Sequence, residues 1–128
     1  MSPKTPRANV LTGHTIVRTT HCGKIFVTVN VSDGKPCEVF IRFGKAGGCG
    51  SAMGDGIARL LSYGLRSGLE PADAVKALTG IGCHHGPKTC MHEVSEAMRL
   101  VIKHMETGCD LNEIIENEEL AEANAQSY

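Results

Sequence analysis

The chain has 128 residues, one domain by the usual span of roughly 100–200 residues. Hydrophobic residues make up 41% and charged residues 21%, a globular rather than a disordered composition. Aromatics, at 4%, are too few for a stacking platform on single-stranded nucleic acid, and no apolar run approaches the roughly 20 residues that span a bilayer. The formal net charge of −1 is unevenly spread. Residues 1–108 hold all 13 Lys and Arg against 8 Asp and Glu, a net of +5. Residues 109–128 hold six acids and no Lys or Arg. A mildly basic body can attract phosphate-bearing ligands, but it lacks the dense Lys/Arg stripe of a specific DNA-binding domain.

In chain order, residues 1–12 carry two Pro and no period, and read as a flexible arm. Thr15–Thr20 is short and β-branched, a strand. Ile25–Val31 alternates, with Ile25, Val27, Val29 and Val31 on one face. Ser32–Pro36 is turn chemistry around Asp33-Gly34, and Cys37–Phe43 alternates again with Cys37, Val39, Ile41 and Phe43 together. These runs predict a hairpin over residues 25–43.

The pattern then becomes helical. Gly44–Ser51 (GKAGGCGS) is a glycine-rich connection, and Ala52–Arg66 follows a helical period with Met53, Ile57, Leu60, Leu61 and Leu65 as the inward stripe. Gly68 suits the position after that helix. Pro71 opens a short helix to about Leu78, with Ala74, Val75 and Leu78 inward. Residues 79–89 form a loop, and Thr89 caps a third helix from Cys90 to Thr107, closed by Gly108. The acidic tail, residues 109–128, can add a helix with Leu111, Ile114, Ile115 and Leu120 on its apolar side. Three strands followed by about three helices is an α+β fold on a small antiparallel sheet, with residues 13–108 as the folded body. Open sheet edges make a homo-oligomer the expected state.

Two constellations can carry chemistry. The first is thiol and imidazole. Cys83-His84-His85 and Cys90-Met91-His92 fall within ten residues, Cys22 follows the first strand, and Cys49 sits in the glycine-rich connection. Thiolate and imidazole are the ligands that tetrahedral zinc prefers. Cys22, Cys49, Cys83 and Cys90 are the candidate zinc ligands, with His84, His85 and His92 as substitutes; the competing reading makes them small buried residues. Cys49 at a helix start, or Cys90, is also a candidate nucleophile. The second constellation is the glycine-rich connection leading into a helix, where backbone N–H groups can cradle an anion. Lys45, Gly47, Gly48, Gly50, Ser51, Arg59, Arg66, His84 and His85 are its candidate ligand residues for a phosphate-bearing small molecule or nucleotide. The Gly-Lys-Ser/Thr ending of a Walker A motif is missing.

The segments GHTIVRTTHCGKIFVTVN, DGKPCEVFIRFGKAGGCGSA, LRSGLEP and GIGCHHGPKTC resemble the TSCPD domain, the small C-terminal module of many vitamin B12-dependent (class II) ribonucleotide reductases. The resemblance spans about residues 13–103. The motif behind the family's name reads Lys88-Thr89-Cys90-Met91-His92 here, so its cysteine remains and the Pro-Asp after it is absent. The resemblance implies a metal-binding module, with Cys22, Cys49, Cys83 and Cys90 on the family's cysteine positions and Cys37 and Cys109 extra to them. It also implies a stand-alone accessory or regulatory domain without the catalytic barrel of a reductase, with a reductase subunit as its candidate partner. The alternative is an oligomer that binds, and in a viral setting sequesters, nucleotides. The first 24 residues lack the apolar core of a secretory signal, so the expected location is cytoplasmic.

Overall fold

The computed structural model describes residues 3–21, 23–44, 48–82 and 89–126, with the backbone alone for residues 48–51 and 126. Strands β1 (Thr12–Thr20), β2 (Gly23–Ser32) and β3 (Lys35–Phe43) form an antiparallel sheet in the order β1-β2-β3. Helices α1 (Gly48–Arg66), α2 (Pro71–Leu78), α3 (Cys90–Thr107) and α4 (Leu111–Gln126) follow. The fold is α+β, with the acidic tail supplying the fourth helix.

The β2–β3 turn forms as its residues require. Asp33 and Gly34 have φ of 52° and 78°, both in the left-handed region, between the paired Ser32 and Lys35. Two such residues give a tight turn whose twist matches that of the strands. Pro36 faces Val31 at a register shift, where a residue without an N–H is tolerated. Alternation then puts Ile16, Ile25, Val27, Val29 and Val39 in the core. α3 covers them with Val94, Ala97, Met98, Leu100 and Val101, and α4 adds Ile114. Leu120, expected on the apolar side of α4, is exposed, because α4 is docked through its first turns by Leu111, Ile114 and Ile115.

The inward stripe of α1 differs from its sequence period. Met53 and Leu60 are 67% and 72% exposed. From residue 52 to Ser62, the buried positions of α1 are Gly54, Ala58, Leu61 and Ser62. A Cβ on Gly54 would lie 2.6 Å from Cε2 of Phe43, so only glycine permits this approach of helix to strand. Small residues at i, i+4 and i+8 bring α1 close to β3. Ser62 completes the seam: its Oγ accepts the N–H of Val39 at 2.9 Å and lies 3.1 Å from the Val39 carbonyl and 2.8 Å from that of Ala58. A side chain thus serves backbone groups on the outer edge of β3.

The helix ends are well marked. α1 closes with Gly68 at φ 104° and the N–H of Leu69 on the carbonyl of Gly64 at 2.8 Å, a Schellman arrangement. Thr89 caps α3 by accepting the N–H of His92, and Gly108 ends it at φ 72°. Asp110 accepts the N–H of Glu113 at 3.2 Å at the start of α4.

The segment read from its sequence as a flexible arm is tied to the body at three points. The Thr5 N–H donates to the Arg66 carbonyl at 2.9 Å. Lys4 Nζ stands 3.8 Å from the centre of the Tyr63 ring. Arg7 makes two bonds to the Glu38 carboxylate, at 2.7 and 3.1 Å, and Asn30 makes a third at 2.8 Å. Burial alone would push the Glu38 carboxyl up. The bonds from Arg7 and Asn30 and the charges of Arg7 and Arg66 outweigh it and hold it below its ordinary value. At the other end of the molecule, Arg99 grips Glu118 with two bonds and Lys103 adds a third, joining α3 to α4. Those bonds, Arg99 first, keep the Glu118 carboxyl low against the opposing effect of burial.

Two predictions follow from these contacts. Ser62→Ala removes only the hydroxyl and strands the Val39 amide and carbonyl, so urea unfolding should lose about 1–3 kcal/mol. Glu38 and Glu118 are both depressed in the folded chain, so their stabilisation is present above the unfolded carboxyl pKa of about 4.3 and fades as pH falls through their folded values. The melting temperature should hold from about pH 7 to 5 and drop below about 4.3, less steeply in Glu118→Gln.

Candidate functional site

One end of the sheet gathers three connections. β1 passes to β2 between Thr20 and Gly23, which are paired, and Thr20 Oγ1 donates to the Gly23 carbonyl at 2.7 Å. β3 leaves the sheet beside them, where the N–H of Gly44 bonds the Lys24 carbonyl at 2.9 Å. α3 begins there too: Cys90 Sγ, half-buried, lies 4.0 Å from Thr20 Oγ1. Glu93, in the first turn of α3 and 3% exposed, receives Arg18 of β1 at 2.7 Å and fixes that helix end to the strand. The connection from α2 returns to the same place, because Thr89 Oγ1 donates to the Ile81 carbonyl.

The four candidate cysteines fall in these three connections or in the helix starts that follow them. Cys22 stands between Thr20 and Gly23, Cys49 follows Gly44 by five residues, Cys83 lies between Ile81 and Thr89, and Cys90 opens α3. Cys22 and Cys83 lie outside the described residues, as do Lys45, Gly47, His84 and His85. Cys49 is the second residue of α1. Among the described residues no three of His, Cys, Asp and Glu are grouped closely enough to hold a metal ion, so such a site needs the other thiols beside Cys90. The donor set fits zinc in kind, since four thiolates are a recurrent structural zinc set.

His92 is already engaged. Its Nδ1 accepts the N–H of Gly80 at 3.0 Å and its Nε2 lies 3.7 Å from Glu96. It therefore serves the α2–α3 connection, and its Nδ1 lone pair is used. Cys37 and Cys109, extra to the cysteine pattern, are elsewhere: Cys37 on β3 toward the turn end of the sheet, Cys109 exposed between α3 and α4.

Among the described residues, the candidate ligand residues for a nucleotide are spread along α1. Gly48, Cys49, Gly50 and Ser51 form the first turn of α1 rather than a loop. Arg66 ends the same helix, about 27 Å away at 1.5 Å per residue. Arg59 lies between them, 74% exposed, with Asp55 at 3.1 Å. The length of α1 thus separates Arg66 from the glycine-rich turn.

The family model described as the TSCPD domain matches residues 1–102 of the 128. The chain belongs to the TSCPD domain family. The match takes in the N-terminal arm, consistent with the attachments of that arm to α1 and β3. TSCPD domains are associated with ribonucleotide reductases. No curated protein and no solved structure matches the chain. Among the described residues no helix is long and apolar enough to cross a membrane.

The stretch that resembles the motif behind the family's name, Thr89-Cys90-Met91-His92, lies at the start of α3. Thr89 there is both helix cap and clasp on Ile81. The Arg18–Glu93 pair beside it can be tested directly. Arg18→Met should strand the Glu93 carboxylate and cost about 3 kcal/mol in denaturant unfolding, the lower part of the range for a broken buried pair, since Arg18 is partly exposed.

Proposed function

We propose that this TSCPD chain is a non-catalytic accessory or regulatory module of ribonucleotide reduction, held together at one end by a structural zinc on Cys22, Cys49, Cys83 and Cys90. The observation that carries the reading is the convergence of the three connections at one sheet end, with Cys90 against Thr20. Hydrophobic contacts among short connections at a sheet end are few, and a metal held from all of them supplies the missing cross-link. Four thiolates fill a tetrahedral zinc and leave no position for substrate, so the ion contributes folding energy rather than catalysis. The association of the family with reductases supports a reductase subunit as partner.

Self-association belongs to the same reading. Met53 and Leu60 stand two helical turns apart on one exposed face of α1, an apolar face suited to a second copy. The separation of Arg66 from the glycine-rich turn weighs against the nucleotide reading of the first turn of α1.

The deciding experiment is elemental analysis of anaerobically purified protein, with native mass read on the same sample. About one zinc per chain is expected, and Cys83→Ser or Cys90→Ser should lose both the metal and the cooperative melt. A mass above one chain that Leu60→Glu returns to the monomer is expected for self-association. A metal-free, well-folded protein would overturn the zinc reading, and iron in place of zinc would change its chemistry to redox.

A further inference from the structure

A half-open cavity of about 380 Å³ lies at the opposite end of the sheet, bordered by the N-terminal arm, the β2–β3 turn and the α1–α2 connection. Its volume is in the range of small-molecule sites, about 300–1,000 Å³. Leu11, Pro36, Leu65 and Leu69 give it apolar walls, and Arg7 and Arg66 give it two guanidinium groups. The two cations are not equivalent. Arg7 is satisfied by both oxygens of Glu38. Arg66 has its Nε buried and without a hydrogen-bond partner among the described residues. A buried cationic N–H without an acceptor is among the costlier defects of a folded chain. The two carboxylates in the lining do not relieve it: Asp33 is exposed at the turn and Glu70, also exposed, stands 4.0 Å from Lys35.

We propose that this cavity binds a small amphipathic anion, its carboxylate or phosphate on the Arg66 guanidinium and its apolar body along Leu65, Leu69 and Pro36. The Arg66 guanidinium, half-buried in the cavity wall and 5.6 Å from the centre of the Tyr63 ring, offers its outer N–H groups to an anionic acceptor, the stronger, charge-assisted kind of bond. The apolar walls favour a hydrocarbon or ring behind the charge over inorganic phosphate alone. The site is independent of the cysteine end and of any metal there. Cys37, a half-buried thiol in the cavity wall, provides an internal reporter.

The test uses the full chain with octanoate, octyl phosphate and octanol as probes, read by calorimetry and by the alkylation rates of Cys37 and Cys109. At least one of the two anions should bind and slow alkylation of Cys37 but not of Cys109, and the tighter of them identifies the headgroup. Octanol should bind at least about tenfold more weakly, and Arg66→Gln should lose about tenfold for the anion, the worth of one charged hydrogen bond. Arg66 also ends α1, so Ala8→Trp serves as a second variant that narrows the cavity from the arm and leaves the guanidinium in place. It should abolish both binding and protection. Octanol binding as tightly as the anions, Cys37 left unprotected by both, or unchanged binding in Ala8→Trp would each overturn the proposal.

Discussion

The close seam between α1 and β3 sets the rest of the architecture. Gly54, Ala58 and Ser62 let the helix lie against an edge strand, and the Ser62 hydroxyl meets the Val39 amide. Because α1 starts near one end of the sheet and finishes near the other, its placement fixes both ends together. Its first turn is at the cysteine end, and Arg66 is at the cavity end. Its outer face is left with Met53, Leu60 and Tyr63, residues whose exposure follows from the choice of small residues inside.

The two ends of the sheet differ in how they are held. At the turn end, closure relies on charge and hydrogen bonds, with Glu38 drawing Arg7 and Asn30 onto the outer sheet face. At the cysteine end, the described closure comes from Arg18 on Glu93 and from Thr89. α4 is docked by a third kind of contact, Ile114 in the core with the Arg99–Glu118 clamp above it. The acidic tail is therefore matched to basic residues of α3.

Local chemistry made much of this fold legible in the sequence. The Asp33-Gly34 turn, the alternating faces of β2, the Thr89 cap and the Gly108 stop each depend on neighbours a few residues away. The buried face of α1 was legible only in part: Ile57, Leu61 and Leu65 pack on the core as their spacing predicts, but a search for large apolar residues also selects Met53 and Leu60 and passes over Gly54 and Ser62. The attachment of the arm was hidden for another reason: Arg7 and Glu38 are 31 positions apart, and nothing local pairs them. The candidate cysteines were visible as residue types at loop positions. The meeting of their connections at one sheet end is a property of topology, and so is the distance between Arg66 and the glycine-rich turn.

Thr89 has a consequence for how this family can vary. Its hydroxyl meets the Ile81 carbonyl and also accepts the N–H of His92, so the stretch between Ile81 and Thr89 is tied off at its neck. Doubling the length of a closed loop costs only about 0.6 kcal/mol. The neck therefore helps to hold α2 against α3 from outside the loop, and added length inside it is cheap for the fold as long as Cys83, the proposed zinc ligand, is kept. Loss of the threonine would release the neck and fray the helix start in one step.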